Sequence, residues 1–331
     1  MLLDAHKTIL QDAKIYWQRN AVHNRKVVLL YALPALALPL IVMAINLFLD
    51  TQFAGTGGLS GIGMRSALET AQTVLNSAIT ILLPFWQLGL FAAAMRISQG
   101  EAAEANDLYK GFHILGAALR LQIFRNLRYF AEMLLGIFLG SLVFSLTPFS
   151  KGLTEAISSI TEDPTLSNLT GEELILLLEE QLSFSQMLPA YLFCVIGGLS
   201  LVIPLYYKYR LSDYALLDSE RPGALASIFE STQLMRGNRV QLLRLDLRFW
   251  WYYLLMFFAA FLSYGDLLLP LFGISLPFSE NISMVLFALL STVTQFLLFY
   301  FFRGRIETVY ACVYKTLKND NEKEASQCSN V

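Results

Sequence analysis

The chain has 331 residues, 55% of them hydrophobic and 15% charged, with mean hydropathy +0.51 and a formal net charge of −2. A soluble domain carries about 25% charged residues, so the deficit predicts a membrane protein. The charge balance gives no case for nucleic-acid binding, and the three cysteines, Cys194, Cys312 and Cys328, show no metal-ligand spacing.

Residues 1–26 are polar and basic, with Lys7, Lys14, Arg19, Arg25 and Lys26. Ile9, Ala13, Tyr16 and Trp17 fall at helical spacing and predict a short interfacial helix. The apolar run at 27–49 is as long as a bilayer core requires at about 1.5 Å per residue. It comes late and lacks a small-residue cleavage site, so it is expected to be a retained span, not a signal peptide. Pro34 and Pro39 predict a kink within it. Residues 50–65 read as a flexible glycine-rich loop.

A second span is expected at 78–97, bent at Pro84, its helix starting near Ser66. Leu108, Phe112, Leu115 and Leu119 then form one helical stripe in a polar link. The third span, 127–149, is entered through Arg120, Arg125 and Arg128, and Arg128 stands four residues before Glu132, the spacing of a helical ion pair. Residues 150–186 are an acidic, extracytoplasmic insertion in which Thr170 and Glu173 resemble a capping box for a short helix at about 171–183. The fourth span is 187–207, with Gly197-Gly198 and Pro204 as weak points.

The stretch 222–253 holds the strongest pattern. It opens with an apolar stripe, Leu225, Ile228, Phe229 and Met235, and stops at Gly237-Asn238. A basic shelf follows, Arg236, Arg239, Arg244 and Arg248, and then aromatics that lead into a fifth span at 249–271. That order describes a chain lying on a membrane surface and then entering it. Asp246, a lone acid among arginines, is expected to cap the helix or clamp an arginine. A turn with Pro270 and Pro277 leads to a sixth span at 282–302. The polar tail, 303–331, is expected to fray after Leu317.

Charge placement orients this layout. Five Lys/Arg precede residue 27, five fall from Arg96 to Arg128, seven from Lys208 to Arg248 and five from Arg303 to Lys323. Only Arg65 and Lys151 of the 24 stand outside those segments. Because positive residues stay cytoplasmic, both termini are expected inside. A shift of 120 residues sets Pro84 on Pro204, Leu108-Tyr109 on Ile228-Phe229, Leu115 on Met235 and Asn126–Phe130 on Asp246–Trp250. The expectation is two parallel hairpin repeats, 78–149 and 187–271, each with a cytoplasmic amphipathic helix, in a single domain over 1–331.

Catalytic signatures are scarce. His6, His23 and His113 lack paired-ligand spacing, and no phosphate-binding or nucleophile-elbow motif is present. Asn46, Gln87, Thr292, Thr294 and Gln295 are neutral and suit helix-to-helix bonding; Glu132 lies about one turn deep beside Arg128. No ionisable pair at depth is read from the spans, so no enzyme, metal or cofactor is expected.

Ser231, Leu234, Met235, Gly237, Asn238, Arg239, Leu242, Leu245, Asp246, Leu247, Phe249 and Trp251 together form a pattern that resembles a family of bacterial integral-membrane proteins, domain of unknown function 975. The resemblance is best over roughly the last 150 residues, and the acidic insertion and Pro-rich turn depart from it. It implies a bacterial cytoplasmic membrane location and the fold, and transfers no catalytic residue. The sequence therefore predicts an all-α, six-span, non-enzymatic envelope protein. It would act as a scaffold or accessory subunit whose Arg236, Arg239, Arg244, Arg248, Arg120, Arg125 and Arg128 engage anionic lipid, with a membrane-protein partner or a second copy also possible occupants. Gly237, Asn238 and Asp246 would brace the shelf. The alternative is a permease for a lipid-like or small apolar molecule.

Overall fold

The computed structural model describes residues 2–53, 59–151, 184–265 and 280–328, and is all α-helical, without a strand among the described residues. Its helices are α1 (Leu2–Arg19), α2 (Ala21–Phe53), α3 (Leu59–Ser98), α4 (Lys110–His113), α5 (Leu115–Ser145), α6 (Phe184–Tyr209) and α7 (Ser212–Asp218). They continue with α8 (Ala224–Leu234), α9 (Arg239–Arg248), α10 (Trp250–Leu262), α11 (Glu280–Leu298) and α12 (Gly304–Cys328). A 3-10 turn, Ala105–Tyr109, precedes α4, and a π-helical turn, Phe299–Arg303, joins α11 to α12.

Four stretches are long and apolar enough to cross a membrane: Thr73–Ser98, Leu115–Ser145, Leu188–Asp218 and Ile282–Lys323. The pair α9 and α10, bent by 62° at a short break, raises the number to five among the described residues. The chain is thus built as a multi-pass membrane protein. The apolar run 27–49 lies within α2, a 33-residue helix.

By internal contacts the chain divides into two compact units, one made of Met1–Arg120 with Leu211–Val331 and the other of Leu121–Arg210. In the first, α12 packs along α3 and α1, and α10 packs along α11. Trp17, Val28, Tyr31, Leu90, Ile97 and Leu108 meet in a buried cluster. Asn24, itself buried, ties three segments together: its Nδ2 donates to the Trp17 carbonyl at 3.1 Å and its Oδ1 accepts from the Ala103 amide at 3.2 Å. Satisfying both ends of a buried amide fixes where α1, α2 and the chain after α3 meet. In the second unit α5 and α6 approach through glycines. A Cβ on Gly136 would meet the Gly197 carbonyl at 2.4 Å, and one on Gly140 the Phe193 carbonyl at 2.3 Å. Small residues four apart let apolar helices approach to backbone contact, which replaces the missing hydrophobic drive inside lipid.

Several expectations need correction. The expected fraying after Leu317 does not occur among the described residues: α12 runs to Cys328, and Ile306, Tyr310, Val313, Tyr314 and Leu317 before it are core residues. The stripe of α1 faces protein, with Ile9, Ala13 and Trp17 buried, so it is not an exposed interfacial face. The region 50–65 is helical on both flanks, with α2 reaching Phe53 and α3 starting at Leu59.

Leu108, Phe112, Leu115 and Leu119 do not share one helix. The chain breaks at Ile114, and Leu108 is buried while Leu115 and Leu119 are exposed. On α8 the buried face is Ala224, Ser227, Ser231 and Leu234, whereas Leu225 and Phe229 are 66% and 64% exposed. The two proposed repeat copies differ locally as well. Leu115 is exposed where Met235 is fully buried, and Asn126–Phe130 lies inside unbroken α5, whereas Asp246–Trp250 straddles the bend. The expected helix at about 171–183, its Thr170–Glu173 box, and the turn with Pro270 and Pro277 lie outside the described residues.

Candidate functional site

The basic shelf is built by a stop, a short helix and a bend. Gly237 takes φ +81°, a left-handed conformation that ends α8 with little steric cost only for glycine. Asn238 reaches back, its Nδ2 donating to the Leu234 carbonyl at 3.0 Å, and so closes the turn between α8 and α9. From there α9 runs to Arg248, and Phe249 carries the bend into α10.

Helix α9 has two apolar faces. Leu242 and Leu245 are buried against the rest of the unit, which includes α1. At about 100° per residue, Val240, Leu243 and Leu247 fall within roughly 60° of one another on the outer side; all three are exposed. Arg239 flanks that ridge on one side, and Arg244 and Arg248 on the other. Among the described residues, the side chains of Arg236, Arg239, Arg244 and Arg248 make no hydrogen bond or ion pair within the protein. Trp250 and Trp251 follow directly, Trp250 exposed and Trp251 edge-on to Phe302 at 4.8 Å.

Asp246 is engaged by the terminal helix. It lies in the last turn of α9, so it does not cap that helix, and it accepts a hydrogen bond from the Tyr310 hydroxyl of α12. The Tyr253 hydroxyl lies 3.3 Å from that of Tyr310. The acid therefore anchors the shelf to the terminal helix through a phenol.

The remaining arginines of the sequence reading sit on α5. Arg120 donates from Nε to the Gly116 carbonyl at 3.0 Å, and Arg125 to Gln122 Oε1 at 2.9 Å. Arg128 pairs with Glu132 at 2.6 Å, as the four-residue spacing predicts. Arg120 belongs to the first compact unit, Arg125 and Arg128 to the second.

A second constellation escaped the sequence reading. Arg303, at the end of the π turn, pairs with Glu307 at 2.8 Å, and Glu307 is fully buried. The Tyr214 hydroxyl of α7 donates to Glu307 Oε2 at 2.8 Å, and Tyr214 stacks on Phe91 and Tyr314. Further along α12, the Tyr314 hydroxyl hydrogen-bonds to Glu230 at 2.8 Å and Asp218 at 3.1 Å, and Lys318 pairs with Asp218. The signal was present as Arg303 and Glu307 four apart, with an apolar stripe Ile306, Val309, Val313 and Leu317 beside them. Near Asp218 an open cleft of about 270 Å³ is lined by Met95, Arg96, Gln99, Glu101 and Lys110. Its cations are already engaged: Arg96 with Glu101 at 3.1 Å and Glu104 at 2.7 Å, and Lys110 with Asp107 at 3.1 Å.

Among the described residues no three His, Cys, Asp or Glu side chains gather to hold a metal ion. Comparison with protein-family models, with curated proteins and with solved structures gives no match to this chain.

Proposed function

We propose that this chain is a non-enzymatic integral membrane protein of the bacterial cytoplasmic membrane. In this reading it is a scaffold or accessory subunit that engages anionic lipid or partner helices through the basic shelf. One observation carries it. Arg96, Lys110, Arg303 and Lys318 are all paired with carboxylates inside the protein, whereas the four shelf arginines are left for something outside it. An arginine beside an anionic leaflet gains about 1 kcal/mol, so four of them favour such a surface substantially. The shelf then lies on the cytoplasmic side of a six-span protein with both termini inside, as the Lys/Arg distribution supports. Membership of the family of unknown function 975 belongs to the same proposal, supported by Gly237-Asn238-Arg239 and Leu245-Asp246-Leu247. So do the two parallel repeats and their amphipathic links.

The test replaces Arg236, Arg239 and Arg244 by Gln and measures anionic lipid retained on the purified protein together with co-purified partners. Loss of either supports the shelf reading; unchanged lipid and unchanged partners reject it. Reporter fusions at residues 1, 150 and 331 test the orientation.

A second reading, a permease for a lipid-like molecule, draws support from the fully buried Glu307, paired with Arg303 at the end of a π turn, since such turns and buried charges mark working sites in membrane helices. Transbilayer movement of a fluorescent phospholipid in proteoliposomes, abolished by Glu307→Gln, is its expected outcome. Movement no faster than in empty vesicles rejects it.

A further inference from the structure

We infer that α9 lies in the plane of the membrane as an inserted interfacial helix, its Val240–Leu243–Leu247 ridge among the acyl chains of an anionic leaflet and its arginines on lipid phosphates. This rests on the shelf reading above and commits it to one occupant, a phospholipid bilayer carrying negative headgroups, in place of a partner protein.

Three independent features lead there. The outer face of α9 is a narrow aliphatic ridge with cations on both flanks, Arg239 on one and Arg244 and Arg248 on the other. A helix standing in water has no use for such a ridge, and a protein partner of ordinary chemistry would meet its arginines with carboxylates on both sides of an apolar seam. A lipid leaflet offers that arrangement everywhere: hydrocarbon beneath, and phosphate at the level to which arginine side chains extend. The arginines are also uncommitted, with no internal partner to surrender before they meet phosphate.

The bend supplies the geometry. Helix α10 is apolar throughout and turns from α9 by 62°. If α10 enters the bilayer, α9 runs far from the membrane normal and lies near the surface. Trp250 and Trp251 stand at the corner, where indoles concentrate at the headgroup level. Helix α8, which precedes α9 in the chain, also carries an apolar outer face. Leu225 and Phe229 are exposed on it, while its inward face is made of Ala224, Ser227 and Ser231. An apolar outer face over a small, hydroxylated inner one is the reverse of a helix folded for water. Asp246, on the inward side and hydrogen-bonded to Tyr310, fixes the roll of α9 about its own axis and so keeps the ridge turned outward.

The experiment places a nitroxide label singly at Val240→Cys, Leu243→Cys, Arg244→Cys, Leu247→Cys and Arg248→Cys in the full-length protein. Cys194 and Cys328 are replaced by Ser, and the buried Cys312 is retained. The protein is reconstituted in vesicles of phosphatidylcholine mixed with phosphatidylglycerol. Collision rates with oxygen and with a water-soluble nickel chelate are then compared. The expected result is several-fold preference for oxygen at 240, 243 and 247, and for the chelate at 244 and 248. Equal access of the chelate to all five positions overturns insertion. Labels immobilised only at high protein-to-lipid ratio also overturn it, in favour of a second copy of the chain.

A separate arm measures phosphatidylglycerol retained by Arg244→Gln/Arg248→Gln relative to wild type. If the labels report water while this variant still loses bound lipid, insertion falls and the headgroup-binding shelf stands. If lipid retention is also unchanged, the shelf reading falls with it. All five labelled positions are exposed or at the exposed edge, so each variant is expected to melt close to the parent, and one that does not is replaced by the Ala substitution at the same site with headgroup quenching of Trp250 and Trp251 as the readout.

Discussion

Two segments of this chain look alike in sequence and differ in the folded protein. Arg236 to Arg248 and Arg303 to Lys323 are both basic, both helical and both next to an apolar run. In the terminal segment Arg303, in the π turn, and Lys318, on α12, are paired with Glu307 and Asp218, and α12 is a central element of its unit. In the shelf the guanidinium groups are unpaired, with Arg236, Arg244 and Arg248 exposed and Arg239 half-buried. A count of cations therefore says nothing about use. The pairing of those cations separates architecture from a surface that meets something else.

The sharpest way to break the comparison is at Glu307. Its carboxylate is fully buried and serves both Arg303 and Tyr214. Glu307→Ala takes the fully buried carboxylate away from the half-buried Arg303 guanidinium and is expected to destabilise the protein by about 3–5 kcal/mol. The double variant Arg303→Met/Glu307→Leu removes both charges with similar volume and is expected to recover most of that loss. Thermal unfolding in a mild detergent distinguishes them; equal loss in both variants shows that packing, not charge, holds the junction.

Next in size is the link between the two segments. Tyr310→Phe keeps the ring and removes the donor to Asp246, with an expected cost of about 1.5–3 kcal/mol, the range for a hydrogen bond to a charged group. A smaller loss accompanied by altered collision rates on α9 would mean that the bond orients the shelf more than it stabilises it.

Two glycines extend the contrast. At Gly304 a Cβ would meet Trp17 at 2.6 Å and Val28 at 2.5 Å, so Gly304→Val is expected to cost about 1–3 kcal/mol through overpacking. At Gly237 nothing lies within 4 Å, but φ is +81°, so Gly237→Ala is expected to cost about 1–2 kcal/mol through backbone strain alone. The first variant should be rescued in part by Val28→Ala, which leaves the Trp17 contact in place; the second should be insensitive to its neighbours.

Much of the plan was legible in the sequence. Runs of about 20 apolar residues mark spans because a helix must be that long to cross the hydrocarbon core, and α3, α5, α6 and α11 follow them. Gly237 reads correctly as a stop because its reason is local. What failed was the assignment of faces. Apolar periodicity predicts burial only when water is the alternative; on α8 Leu225 and Phe229 are exposed, and small residues take the inner face instead. That is why Ala224, Ser227 and Ser231 line the packed side of α8, and why Gly136 and Gly140, visible as glycines four apart, escaped notice as the contact with Gly197. The Arg303–Glu307 pair was missed for the opposite reason. A charged segment after the last span reads as a solvated tail unless the stripe from Ile306 to Leu317 is weighed with it.

The smallest expected effect on stability is the one that most sharpens the comparison. Arg244→Gln and Arg248→Gln remove charges with no internal partner and from exposed positions, so each is expected to change unfolding free energy by less than about 0.5 kcal/mol. The same pair should weaken association with anionic lipid by about 2 kcal/mol, about 1 kcal/mol for each arginine, and the loss should shrink as salt is raised toward the screening range. Parallel measurement of unfolding and of lipid retention across a salt series resolves the two. If both arginines prove costly to fold and indifferent to lipid, the shelf is architecture like the terminal helix, and the distinction between the two basic segments disappears.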